Sequence, residues 1–111
     1  MDIRILEEGN TIIVVATGKL DAITAPEYEN MLGRLIGEGK ARIVVDFDGL
    51  DYISSAGLRA LLATSKAIRA KGGKEAFANV KGNVREVFDM TGFSTILNLY
   101  DSVQDAIAAL Q

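Results

Sequence analysis

The residues of this chain best placed to do chemistry lie between Asp48 and Leu62, in the string DGLDYISSAGLRALL. Two hydroxyls, Ser54 and Ser55, precede a small pair, Ala56-Gly57. An apolar helical pattern follows directly, with Leu58, Leu61, Leu62 and Ile68 on one face. Serine is a favoured N-cap, because its oxygen accepts from backbone N–H groups that a helix start leaves unpaired. A serine placed there can be exposed at the positive end of the helix dipole, where the dipole and free N–H groups stabilise a phosphate. Two readings stand side by side: an acceptor hydroxyl for a phosphoryl group, and a capped helix whose small residues serve tight packing.

Other chemistries lack their residues. The chain has no histidine and no cysteine. That removes Ser-His triads, imidazole acid–base catalysis, His and thiolate metal sites, and disulfides together. Asp21, Asp46, Asp48 and Asp51 could in principle gather around a hard cation, but their spacing matches no loop motif, so neither a metal nor a cofactor is expected. Asp46 reads as the end of a strand, capping or accepting from N–H groups of the next loop, and Tyr52 reads as packing. No Gly-rich phosphate loop follows a strand, since Gly72-Gly73 follows a helix, and no nucleophile–base pair is evident. An enzyme is therefore not expected.

These residues must be held by an ordinary small domain. A chain of 111 residues, 49% of them apolar, predicts one domain over 1–111 that buries somewhat over about 60% of its unfolded surface. No run of about 18 apolar residues marks a membrane span. The start, MDIRILEEG, has an acid at position 2 and no long apolar stretch, so it does not read as a signal peptide, and the cytoplasm is the default. A net charge of −3 argues against a binder of nucleic-acid backbones. Lys66, Arg69, Lys71 and Lys74 cluster near the end of the serine helix and read as solvated charge complementing its C-terminus.

The pattern predicts two strands, Ile3–Leu6 and Thr11–Thr17, joined as a hairpin by Glu7-Glu8-Gly9-Asn10. A loop over Gly18–Ile23 leads to a helix with a Thr24/Glu27 capping box, Pro26 in its first turn, and Tyr28, Met31, Leu32, Leu35 and Ile36 on one face. Gly37 and Gly39 end it. Arg42–Phe47 is a nearly continuous apolar run, as in a strand covered on both faces. The serine helix runs to about Lys71; a strand follows at Glu75–Val80, a helix at Asn83–Thr91, and a strand at Thr95–Tyr100. A second capping box, Ser102 with Asp105, opens a terminal helix. The order ββαβαβαβα implies an α/β fold with mainly parallel pairing and right-handed crossovers.

This order resembles the STAS domain of bacterial anti-sigma factor antagonists, over essentially the whole chain. Three pieces carry the resemblance: Gly18-Lys19-Leu20-Asp21-Ala22 with Thr24-Ala25, Val45-Asp46-Phe47 leading to Asp51-Tyr52-Ile53, and Ser54-Ser55-Ala56-Gly57-Leu58. The resemblance implies a single STAS-like domain, a mixed sheet with an N-terminal antiparallel hairpin, and function by partner switching. An unphosphorylated antagonist binds an anti-sigma factor that is also a serine kinase, the kinase phosphorylates one serine and the complex parts, and a serine phosphatase reverses the change. In the family pattern Asp-Ser-Ser/Thr-Gly-Leu the acceptor lies two residues before the glycine. Gly57 is that glycine, so Ser55 is the implied phosphorylation site, Ala56 replaces the second hydroxyl, and Ser54 stands where the aspartate usually is. The implied partner-binding set is Asp21, Thr24, Ser54, Ser55, Gly57 and Leu58, with Asp21 open between that role and a turn residue. A monomer or weak dimer is expected, with no nucleic acid bound. The alternative is a STAS module that is not phosphorylated and serves a lipid-transport or stress-sensing complex; Ser54 in place of aspartate leans towards it.

Overall fold

β-Branched residues open the chain, and they pair. β1 (Asp2–Glu8) turns at Gly9-Asn10 into β2 (Thr11–Leu20), antiparallel, with Ile3 opposite Ala16 and Ile5 opposite Val14. In the computed structural model, which describes residues 1–111, every later strand is parallel to its neighbour. β3 (Arg42–Asp46) lies beside β2, β5 (Lys74–Ala78) beside β3, and the two-residue β6 (Leu99–Tyr100) closes the edge, giving the order β1-β2-β3-β5-β6. A further short strand, β4 (Leu50–Ile53), pairs with the far end of β2. The helices are α1 (Ala25–Gly37), α2 (Ser55–Ala70), α3 (Gly82–Thr91), the single turn α4 (Phe93–Ile96) and α5 (Val103–Ala109). No helix is long and apolar enough to cross a membrane.

The larger core lies between the sheet and α1, α2 and α3. Val14, Ile43, Val45 and Phe77 of the sheet meet Tyr28, Leu32, Leu61, Ile68 and Phe88 of the helices. Each such side chain is worth about 1.5–3 kcal/mol when fully buried. A smaller cluster on the other face sets Ile13, Val44, Ala76 and Ala78 under Ala106 and Ile107 of α5 and Leu110 at its end. β3 is thus covered on both faces, which is why Ile43-Val44-Val45 shows no polar alternation.

Three sequence expectations change. The loop expected over Gly18–Ile23 is strand as far as Leu20; Gly18, at φ +97°, lets β2 shift register and pass from β3 to β4. β4 was not expected at all. The strand expected over Thr95–Tyr100 is instead α4 followed by β6. Gly92, at φ +81°, ends α3 in the left-handed region; the Thr95 hydroxyl then donates to the Gly92 carbonyl at 2.7 Å and the Leu97 N–H to the Phe93 carbonyl at 2.9 Å. Those bonds wind the β-branched run into a turn.

Candidate functional site

The site forms where β2 and β4 end together. Leu20 pairs with Ile53, and the Ser54 N–H donates to the Leu20 carbonyl at 3.0 Å. α2 then starts hard against that carbonyl. A Cβ at Gly57 would lie 2.5 Å from the Leu20 oxygen and 2.8 Å from Ile53 Cγ1, closer than real side chains come, so only glycine fits. Ser54 is the N-cap: its backbone is extended, and its Oγ accepts from the Gly57 N–H at 3.3 Å. Aspartate is an equally good N-cap, so Ser54 preserves the capping role at this position. Ser55 is the first helical residue and is exposed. Like those of any first turn, the N–H groups of Ser55 and Ala56 have no intrahelical acceptor. Leu58 is 8% exposed and belongs to the core, so it shapes the site from beneath, as Gly57 does.

The neighbouring turn is built differently from expectation. Thr24 makes no capping bond to the start of α1, and its backbone is helical rather than extended. The capping box lies one turn earlier. The Asp21 carboxylate accepts from the Ile23 N–H at 3.0 Å and the Thr24 N–H at 3.1 Å, while Thr24 Oγ1 accepts from the Asp21 N–H at 2.9 Å and donates to the Lys19 carbonyl at 2.8 Å. The Asp21 carbonyl takes the Ala25 N–H at 2.8 Å. Asp21 is thus the reciprocal partner of Thr24, and Glu27 has no part in the box. The Thr24 N–H beside it, against some desolvation, holds the Asp21 carboxyl below its usual pKa; the Ile23 N–H, the Thr24 hydroxyl and Lys19 add to this. At the terminal helix the expected cap does form, with Ser102 Oγ accepting from the Asp105 N–H at 3.0 Å.

The site therefore brings Ser54 and Ser55 next to the turn that carries Asp21 and Thr24, with Leu20 as the shared contact. Asp46 accepts from the Asp48 N–H at 3.0 Å and from Asn79 Nδ2 at 2.9 Å, tying β3 to the end of β5. Asp48 pairs with Lys81 at 2.6 Å on the surface. Two exposed apolar side chains lie beside these turns. Ile23, 87% exposed, tops the Asp21 turn, and Tyr52, expected to be packing, is 49% exposed on β4. An isoleucine between two turn residues, with no periodic partner, is the signal that could have shown the first. Tyr52 escapes the core because β4 is a short strand with one neighbour, so the residue opposite Lys19 faces outward.

The STAS domain profile matches residues 2–106. The chain belongs to the STAS domain family. This STAS domain is similar to BtrV of Bordetella bronchiseptica, provisionally designated an anti-sigma factor antagonist: 36% identical over 100 residues, covering 90% of this chain and 86% of that one. It is similar also to the anti-sigma F factor antagonist of Paenibacillus polymyxa, 28% identical over 112 residues, covering 100% and 96%. The Bacillus cell fate determinant SpoIIAA, solved in its phosphorylated form, has the same fold: TM-score 0.75 over 99% of this chain and 100% of that one, at 19% identity.

Proposed function

We propose that this STAS domain is an anti-sigma factor antagonist, acting in the cytoplasm and switched by phosphorylation of Ser55. The observation that carries the reading is the placement of Ser55, an exposed hydroxyl on the first turn of α2, above a backbone fixed by Gly57 and Leu20. A kinase partner transfers the γ-phosphoryl group of ATP to Ser55 Oγ; ADP leaves and the hydroxyl proton passes to the kinase. A serine phosphatase reverses the change. Asp21, Thr24, Ser54 and Ser55 form the partner-facing surface, Gly57 and Leu58 support it, and Ile23 and Tyr52 supply exposed apolar anchors beside it.

The switch needs no refolding. Phosphate adds about −1.5 to −2 charges, which the first-turn N–H groups and dipole accommodate. A packed interface would instead meet new charge near Asp21 and Asp51, with a desolvation cost of several kcal/mol, and each ~1.4 kcal/mol is tenfold in affinity.

Incubation with a cognate anti-sigma kinase and ATP, followed by intact-mass measurement and peptide mapping, tests the proposal. One phosphate on Ser55, absent in Ser55→Ala, is the expected result. A phosphate on Ser54 or Thr24 overturns the register. Tight partner binding with no phosphorylation, unchanged in both Ser55→Ala and Ser55→Glu, replaces the switch with a constitutive module of another assembly, such as a lipid-transport or stress-sensing complex.

A further inference from the structure

The end of the sheet opposite Ser55 carries a feature that the switch does not use. β2, β3 and β5 all begin there, and their parallel pairing sets Arg42 directly in register with Lys74. Like charges directly opposite on paired strands repel. Lys40 stands two residues before Arg42, and Lys71 lies in the turn into β5. These four cations line two adjoining concavities, of 490 and 280 Å³, which share Gly39, Lys40 and Ala41. The ion pairs of the protein are Arg34–Glu38, Lys81–Asp48 and Arg85–Asp89, so none of the four is neutralised by one. Glu7 is the one acid on the walls of the larger concavity. α1 and α2 both end here, and their carbonyl ends give Lys40 and Lys71 a partial counter-charge. Arg42 and Lys74 begin strands and have no such counter-charge. The local excess of positive charge runs against a chain whose net charge is −3.

We propose that this depression binds a compact polyanion, of the class of pyrophosphate or the polyphosphate part of a phosphorylated metabolite. The larger concavity has the size of a small-molecule site. Its only apolar lining residues are Ile12 and Ala41, so it offers no slot for a base or an acyl chain. Arg42 supplies a planar fork and the lysines supply point charges, the combination that suits phosphate oxygens. A bound dianion also relieves the Arg42–Lys74 repulsion. The site is separated from Ser55 by most of β2: eight residue steps from Ile12 to Leu20, about 26 Å at strand rise. Occupancy is therefore independent of the serine.

The test is a titration of isotope-labelled protein with pyrophosphate at constant ionic strength, following amide shifts over 39–42 and 72–74, with sodium chloride as the reference. Saturable shifts confined to those residues are expected. Arg42→Gln and Lys74→Gln should each weaken binding about tenfold, the loss of one charge-assisted hydrogen bond, while Glu7→Gln strengthens it and Ser55→Ala leaves it unchanged. The thermal midpoints of Arg42→Gln and Lys74→Gln should equal or exceed that of the wild type, because each removes a repulsion. Shifts that never saturate, or that chloride reproduces, overturn the proposal, as does undiminished binding in both glutamine variants. Adenosine diphosphate binding tenfold tighter than pyrophosphate overturns the assignment to a compact polyanion. A short oligonucleotide that displaces pyrophosphate at a lower concentration overturns it in favour of nucleic acid.

Discussion

The two ends of α2 treat a carboxylate in opposite ways. Beside its start, Asp21 is surrounded by donors, foremost the Thr24 N–H, and its pKa is lowered. Beside its last turns Glu75, on β5, is 7% exposed, and both its oxygens are buried without a hydrogen-bond partner. Burial pushes its pKa to about 7, and the nearby Ser65 and Arg69 offset only part of that. The Tyr28 hydroxyl is buried there too, also unpartnered; burial first, then the charge of Glu75, raises its pKa. At the serine end the carboxylate is paired with donors that favour its charged form. The far end holds an acid whose charge changes within the physiological range.

The largest expected effect tests that contrast directly. Between pH 4.5 and 7 folded Glu75 keeps a proton that the unfolded chain releases, so stability is full below the unfolded pKa and falls as pH rises towards 7. Over about 2.5 pH units at about 1.4 kcal/mol each, the loss is roughly 3 to 4 kcal/mol. Urea unfolding at pH 5 and pH 8 should show it in the wild type and not in Glu75→Gln; equal losses would acquit Glu75. The sign for Asp21 is opposite. Its contribution is present above the ordinary carboxylate range and lost as pH falls below it, so Asp21→Asn should flatten only the acid limb of the curve.

Next in size is Gly57→Ala. The clash is with the Leu20 carbonyl, which cannot rotate away, so about 1–3 kcal/mol of stability should be lost. Gly33→Ala, where a Cβ meets nothing within 4 Å, serves as a control; it should be stabilised by several tenths of a kcal/mol to about 1 kcal/mol. Thr24→Val removes half of the reciprocal box and should cost about 1 kcal/mol, seen as a lower urea midpoint. The smallest effect is Ser55→Glu. A carboxylate on the first turn should raise stability by about 0.3–1 kcal/mol while calorimetric titration shows weaker partner binding. A destabilised Ser55→Glu would mean that the first turn does not tolerate negative charge.

Legibility in the sequence followed the physical range of each interaction. Periodic apolar faces gave α1, α2, α3 and β3 to within a residue or two, because burial acts on every turn or every residue alike. The capping box was misread because Thr24-Ala25-Pro26-Glu27 matches the usual pattern, whereas Asp21-Ala22-Ile23-Thr24 does not; the choice between them depends on where β2 ends, which is a tertiary fact. β4 was invisible because its partner is the tail of β2 beyond Gly18. Ser55 was legible at its helix start, and Gly57 beside it, though not the Leu20 carbonyl that demands the glycine. Glu75 appeared as one residue of an alternating strand, and nothing local marks it as buried. Lys40 and Arg42 join Lys71 and Lys74 only through the pairing of β3 with β5.

The transfer of β2 from one neighbour to another has a kinetic consequence. Four residue pairs hold β2 to β3 and seven hold it to β1, but only three hold it to β4. Gly18 thus divides the strand into a more and a less extensively paired part. By that count the segment from Leu50 to the first turn of α2 is expected to open more readily than the β1–β2–β3 ladder. The amides of Ser54 and Lys19 should then exchange with solvent deuterium sooner than those of Val14 and Val45, and they should do so together. Ser55 itself is exposed on the first turn of α2, so a kinase would reach it at the less paired end of β2.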